Sequence, residues 1–227
     1  MRDATAPAIA RRFPGTTIVC LAPGPTLTAE AVGLVLRAPQ TPVIAINDAH
    51  RLAPWAEILY SSDRRWWAYY DGVPSYGGQR VAVGTRVGDR APVHVRSGVS
   101  VLVLEHTGQH GLDVDPRGLR TGGNSGYAAV NLAVHLGARR ILLVGYTLGP
   151  VGGRSHFFGR HPAGLDESRA EHYADFRAAF ATIVAPLAQL GIEVLNCTPG
   201  SHLDVFPHAD LRTALAAVAP AVEAVPC

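Results

Sequence analysis

The 227-residue chain contains no lysine; all 20 of its strongly basic side chains are arginine. Without lysine there is no Schiff-base catalysis, no Gly-Lys-Ser/Thr phosphate loop and no kinase-type strand lysine. Any anion this protein handles is met by arginine, histidine, backbone N–H groups or a metal. The bias itself reads as mutational, arginine codons replacing lysine codons in a GC-rich genome, and its chemical consequence holds regardless. Cysteine is scarce. Cys20, Cys197 and Cys227 are odd in number and form no Cys-x-x-Cys pair, which argues against a disulfide scaffold or zinc knuckle and for a reducing compartment. Long apolar runs are missing too: Pro186, Gly191, Glu193 and Pro220 interrupt the most apolar stretches, well short of a membrane span. The first residues carry Asp3, Arg11 and Arg12 and no secretory apolar segment, so a cytoplasmic protein is expected. Net charge is also lacking. The arginines exceed the 18 acidic residues by two, too little to argue for a general nucleic-acid surface.

What is present is an alternation of strand and helix patterns. Thr17 to Leu21 reads as a first strand, followed by the turn Ala22 to Thr26 and a helix from about Thr28, its cap, to Arg37. Val43 to Ile46 and Ile58 to Tyr60 are further strands, and an aromatic helix runs from Arg64 to Tyr70. Between Gly72 and Gly123 weak strands at Arg80 to Val83, Val93 to Val95 and Val99 to Glu105 lie among glycines, and their order is not legible. Regularity returns with Gly122-Gly123-Asn124-Ser125-Gly126, a helix to about Leu136, and the strand Arg140 to Gly145. The polar loop 146–165 comes next, then a helix from about Glu167 to Leu190 and the strand Ile192 to Leu195. This succession predicts an α/β, Rossmann-like three-layer sandwich with a mainly parallel sheet. One domain spans 1–227, and 146–165 forms a lid or active-site loop over the carboxyl ends of the strands.

In such sheets ligands sit outside those carboxyl ends, which makes the strand exits the places to look. Pro23-Gly24-Pro25-Thr26 is a structural turn or a nucleotide contact, and it is not the GxGxxG dinucleotide fingerprint. Asn124 and Ser125, ahead of an apolar helix, make either a plain cap or a helix start that holds phosphate. Tyr127, Asn131 and His135 form one polar stripe and read as a packed, hydrogen-bonded face. Arg154-Ser155-His156-Phe157-Phe158-Gly159-Arg160-His161 can supply a general base, anion clamps and a stacking surface. Its His-x4-His spacing fits zinc poorly, so no metal ligand is assigned. Asp48, Ser62 and Asp63 at strand exits suit a ribose, a divalent ion or a turn; Trp66 and Trp67 suit helix packing.

Taken in order, Gly24-Pro25-Thr26-Leu27, Ile46-Asn47, Ser125-Gly126-Tyr127, Leu136-Gly137, Ile141 to Tyr146, Ser155 to Gly159 and Cys197 to Ser201 resemble the bacterial CMP-sialic-acid-dependent sialyltransferases of lipooligosaccharide synthesis. Small phage-encoded members of that superfamily and archaeal hydroxymethyl-dihydropterin pyrophosphokinases are similar as well. The resemblance implies a glycosyltransferase that takes a CMP- or other nucleotide-activated sugar. It puts Gly24, Pro25, Thr26, Asn47, Ser125 and Gly126 at the nucleotide, and the strand-exit and helix-start residues Ser62, Asp63 and Asn124 are expected to join them. The base falls on His161, with Arg160 and His156 beside it; Arg154 and Tyr146 face phosphate or substrate. The chain departs from the family at Pro23 and Thr147, where an asparagine and an acidic residue are usual. Its shorter length suggests a soluble, phage-related member. The alternatives are a pyrophosphokinase using Mg²⁺ held by carboxylates such as Asp63, and a non-catalytic accessory protein on the same fold. Donor sugar, acceptor and any homo-oligomer are not legible in the sequence.

Overall fold

Runs such as Ile-Val-Cys-Leu and Ile-Leu-Leu-Val are apolar at every position, which suits strands covered on both faces. Eight of them form the sheet: β1 (Thr17–Leu21), β2 (Val43–Ile46), β3 (Ile58–Ser61), β4 (Gln79–Val83), β5 (Leu102–Gly108), β6 (Gly118–Arg120), β7 (Arg140–Val144) and β8 (Glu193–Asn196). The computed structural model describes residues 6–38, 40–165 and 170–217. Every pairing in the sheet is parallel, in the order β6-β5-β4-β3-β2-β1-β7-β8. The result is one open α/β sheet of Rossmann-like type, as the sequence predicts.

Helices cover both faces because successive strand residues point to opposite sides. Ile18, Cys20, Ile44 and Ile58 pack with α3 (Ser125–Leu136) and α4 (Ala170–Gln189). Val19, Leu21, Val43 and Leu59 pack with α1 (Ala29–Leu36), α2 (Arg64–Tyr69) and α5 (Leu211–Ala216). Trp66 and Trp67 are buried in that second layer, so α2 uses its indoles for packing. α3 is the central helix. Its Asn131 is fully buried, accepts the Asp113 and Arg120 N–H groups at 3.0 and 3.1 Å, and donates to the Asp113 carbonyl at 2.8 Å. With the His135 ring nitrogen 2.8 Å from the Gly118 carbonyl, the polar stripe on α3 anchors the segment around β6.

Two expectations fail in the middle of the chain. Val93 to Val95 is not a strand; Pro92 lacks an N–H, and the Ala91 and Pro92 carbonyls are held by the Arg64 guanidinium instead of a ladder. β6, not foreseen, pairs with β5 through an irregular register between His106 and Gly108. The expected start of α4 at Glu167 lies outside the described residues, as does Cys227. Among the described residues no helix is long and apolar enough to cross a membrane.

The chain builds β1 to β6 outward in one direction, then returns to place β7 on the other side of β1. That reversal opens a crevice at the carboxyl ends of β1 and β7, the usual ligand position in such sheets.

Candidate active site

The floor of the crevice is made by backbone. Ala22 N–H donates to the Val144 carbonyl at 2.8 Å and Gly24 N–H to the Gly145 carbonyl at 3.1 Å, so the two strand tips interlock. A Cβ on Gly24 would stand 2.1 Å from the Gly145 oxygen, and one on Gly145 would stand 2.1 Å from the Ala22 oxygen. Gly145 also has φ +78°, a left-handed conformation that side chains disfavour. The glycines are therefore required by this close approach.

Over that floor lies a cavity of about 120 Å³ that gathers Gly24, Pro25, Asn47, Asn124, Ser125 and Gly126, with Tyr146 and His156 on its wall. Asn124 caps α3 by accepting the Tyr127 N–H at 2.9 Å. The free N–H groups of the first turn of this 12-residue helix thus open at the crevice. Ser125 Oγ accepts the Ser62 N–H at 3.0 Å, which leaves its hydroxyl as a donor. Asn47 leaves β2 with φ +48°, and its buried Oδ1 has no hydrogen-bond partner among the described residues. A buried acceptor of that kind calls for a donor from a bound molecule or water.

Other expected residues lie elsewhere. Thr26 bonds Thr147 hydroxyl to hydroxyl at 3.0 Å and faces a different cavity, of about 530 Å³, between α1 and α5. Much of that lining is already engaged: Thr28 caps α1, Asp210 caps α5, and the Thr198 hydroxyl accepts the Tyr146 N–H. Ser62 and Asp63 line a third cavity, of about 380 Å³, which adjoins the crevice at Asn124. Tyr146 donates to the Gly126 carbonyl at 3.0 Å, and burial, with Cys20 alongside, pushes its phenol well above the usual range. The Cys20 thiol is itself raised by burial to about 12. Tyr146 forms the wall and Cys20 the core behind it; neither is poised for proton transfer at neutral pH.

The loop 146–165 folds into two tight turns, Val151 to Arg154 and His156 to Gly159, and docks by the Phe157 N–H on the Pro23 carbonyl at 3.1 Å. Arg154 and Arg160 are exposed and lie outside the crevice lining. The two histidines are together, with ring centroids 4.3 Å apart. His156 lines the crevice, and His161 Nδ1 stands 3.9 Å from Asp48 Oδ2. Asp48 is fully buried and accepts the Trp66 indole N–H at 2.8 Å and the Tyr70 hydroxyl at 2.6 Å. The expectation that Asp48 meets a ribose or metal is thus corrected: its carboxylate turns inward, because the indole and phenol of α2 satisfy it there. The pair sets the His161 imidazole against a buried carboxylate at the edge of the crevice. Among the described residues no group of three or more His, Cys, Asp or Glu is placed to hold a metal ion.

Sequence reasoning missed Thr147 and Leu148 as crevice residues. Leu148 has φ +47°, unusual for a branched side chain, and its carbonyl accepts from Arg177 at 3.0 Å. Nothing in the local sequence announces that conformation.

No protein-family model matches the chain, and no curated protein matches it. Among solved structures it is similar to the MAf glycosyltransferase from Magnetospirillum magneticum AMB-1, with a TM-score of 0.60 at 14% identity. The match covers 92% of this chain and 35% of that one, so the chain spans about a third of the length of that protein. At such identity the likeness is one of fold alone.

Proposed function

We propose that the protein is a nucleotide-dependent glycosyltransferase that takes a CMP-activated or other nucleotide-activated sugar and uses histidine as base. The observation that carries this reading is the crevice at the β1/β7 reversal, where the α3 N-terminus, the unpartnered Asn47 amide oxygen and His156 converge. The fold likeness to a glycosyltransferase agrees with it. In this reading the donor phosphate takes the α3 N–H groups and the Ser125 hydroxyl in place of the missing lysine. Asn47 Oδ1 accepts from the nucleoside.

The crevice alone, at about 120 Å³, holds a phosphate but not a nucleotide. The rest of the donor therefore needs a shift of the loop 146–165, since ligand pockets for such molecules run to roughly 300 Å³ and more. A shift of that loop would also bring Arg154 or Arg160 to the leaving phosphate. His156 takes the proton from the acceptor hydroxyl as the sugar is transferred, and His161, held against Asp48, stabilises the charge that results. The resemblance puts the base on His161; lining of the crevice favours His156.

The test is nucleotide release from a panel of CMP-, UDP- and GDP-sugars, with nucleotide binding followed by calorimetry. His156→Ala should lower turnover by about 10²–10⁴-fold while leaving CMP binding and the melting temperature unchanged. Wild-type protein that neither binds these nucleotides nor releases them would sink the reading.

A further inference from the structure

The third cavity has features the proposed donor site does not use. It lies at the carboxyl ends of β3, β4 and β5, adjoins the crevice through Asn124, and offers about 380 Å³. Its lining among the described residues is hydroxyl, amide, imidazole, carboxylate and guanidinium, with Val83 its one large aliphatic side chain and no Phe, Tyr or Trp. Such a lining is poor in large apolar rings and rich in groups that bond hydroxyls.

The decisive residue is His106, on β5 and 5% exposed. The Thr121 hydroxyl donates its one hydrogen to Gln109 Oε1 at 3.0 Å, so towards His106 Nε2, at 3.2 Å, it accepts. His106 Nε2 therefore carries the proton, and Nδ1 is left as an acceptor. That Nδ1 is buried and has no partner among the described residues. Arg64 is in the same position: its Nη2 holds the Ala91 and Pro92 carbonyls, while its buried Nε–H has no partner among the described residues. Asp63 Oδ1 accepts the Arg65 N–H at 2.8 Å as the α2 cap, and Asp63 lines the cavity. The strand irregularity between His106 and Gly108 falls at this point, and bulges of that kind re-aim side chains beside functional sites.

We propose that this cavity is a sugar site, binding the acceptor pyranose through hydroxyls that donate to His106 Nδ1 and Asp63 and accept from Arg64 Nε–H. The word acceptor rests on the transferase reading; the binding of a pyranose does not. Acceptors and a donor lining one cavity suit the hydroxyls of a sugar, each of which gives one hydrogen and takes another. Asn124, shared by both cavities, sets the sugar next to the helix start assigned to the donor phosphate.

The test is an NMR titration of ¹⁵N-histidine-labelled protein with methyl glucoside, methyl galactoside and methyl N-acetylglucosaminide, each to its solubility limit, and separately with CMP. At least one pyranoside should shift the His106 Nδ1 resonance saturably, while CMP leaves it in place. Asp63→Asn keeps a good helix cap and should weaken that sugar by about tenfold or more, the value of a hydrogen bond to a charged group. His106→Gln, read by calorimetry with the same pyranoside, should weaken binding by about tenfold or more, with the melting temperature as the check on folding. If no pyranoside moves His106, or if CMP moves it instead, the proposal is overturned. A pyranoside that binds a protein unable to bind or turn over nucleotide sugars would leave this site standing and remove the transferase reading alone.

Discussion

Adding one methyl group at Gly145 tests the crevice floor directly. The residue sits at φ +78°, where a residue with a Cβ loses about 1–2 kcal/mol relative to glycine. The new Cβ would meet the Ala22 carbonyl oxygen at 2.1 Å. That oxygen belongs to backbone and cannot rotate away, so relief requires the tips of β1 and β7 to part. Parting them strains the Ala22-to-Val144 and Gly24-to-Gly145 hydrogen bonds, at about 1 kcal/mol each, and overpacking of this kind costs about 1–3 kcal/mol. These terms overlap, which puts Gly145→Ala at about 3–5 kcal/mol less stable than wild type. With a urea slope of about 2 kcal/mol/M, the unfolding midpoint should fall by about 2 M. Gly152→Ala is the control: its φ is +57° but no atom lies within 4 Å of the added Cβ, so only the conformational cost of about 1–2 kcal/mol remains. If the two variants unfold at the same urea concentration, the tips are not interlocked and the floor described here is wrong.

Asn131→Ala should be comparably damaging for a different reason. It strands two backbone N–H groups and one carbonyl of the 113–120 segment, at about 1–3 kcal/mol for each buried group left without a partner; amide exchange should speed up first at Asp113 and Arg120. His50 makes stability depend on pH. Burial lowers its pKa below 6.5, outweighing the Asn47 carbonyl and the Asp48 charge, which raise it. The unfolded chain therefore binds the proton more readily, and stability is full above pH 6.5 and declines as pH falls through the folded value. The slope is at most about 1.4 kcal/mol per pH unit. His50→Gln should flatten the fall in melting temperature between pH 7 and 5, and an unchanged fall would assign it to other groups.

The parts of the fold that were legible in the sequence are those where one local signal sufficed. Thr28 and Asn124 announce the helices they cap, and the apolar runs from Thr17 and Arg140 announce strands buried on both sides. Gly24, Asn47 and Ser125 could be placed near one another because parallel sheets put successive strand exits on one edge. Illegible features depend on partners distant in sequence. β6 is three residues long and exists because Asn131, eleven positions after Arg120, holds it against α3. Val93 and Val101 have the composition of strand residues, yet they pack as loop residues against the α1/α2 layer. Asp48 looked like a ligand-facing carboxylate; only the positions of Trp66 and Tyr70, 18 and 22 residues on, decide that it faces inward. His106 carried no motif at all.

The all-arginine composition has a different role in the structure from the one its chemistry first suggests. Several arginines are engaged with backbone carbonyls. Arg80 reaches Gly72, Val73 and Tyr76 together. It thereby secures a turn in which Asp71 and Val73 have φ +49° and +54°. Arg64 holds Ala91 and Pro92, Arg120 holds His110, and Arg177 holds the unusual Leu148. A planar fork with five donors can satisfy two or three carbonyls at fixed angles, which an ammonium on a flexible stem does less well. Arg80 thus pins the turn that enters β4, while Arg64, Arg120 and Arg177 pin loops nearer the carboxyl edge of the sheet. Pinned loops can present backbone N–H groups, an amide oxygen and imidazoles at set positions, so the anion recognition proposed for the crevice has no need of lysine.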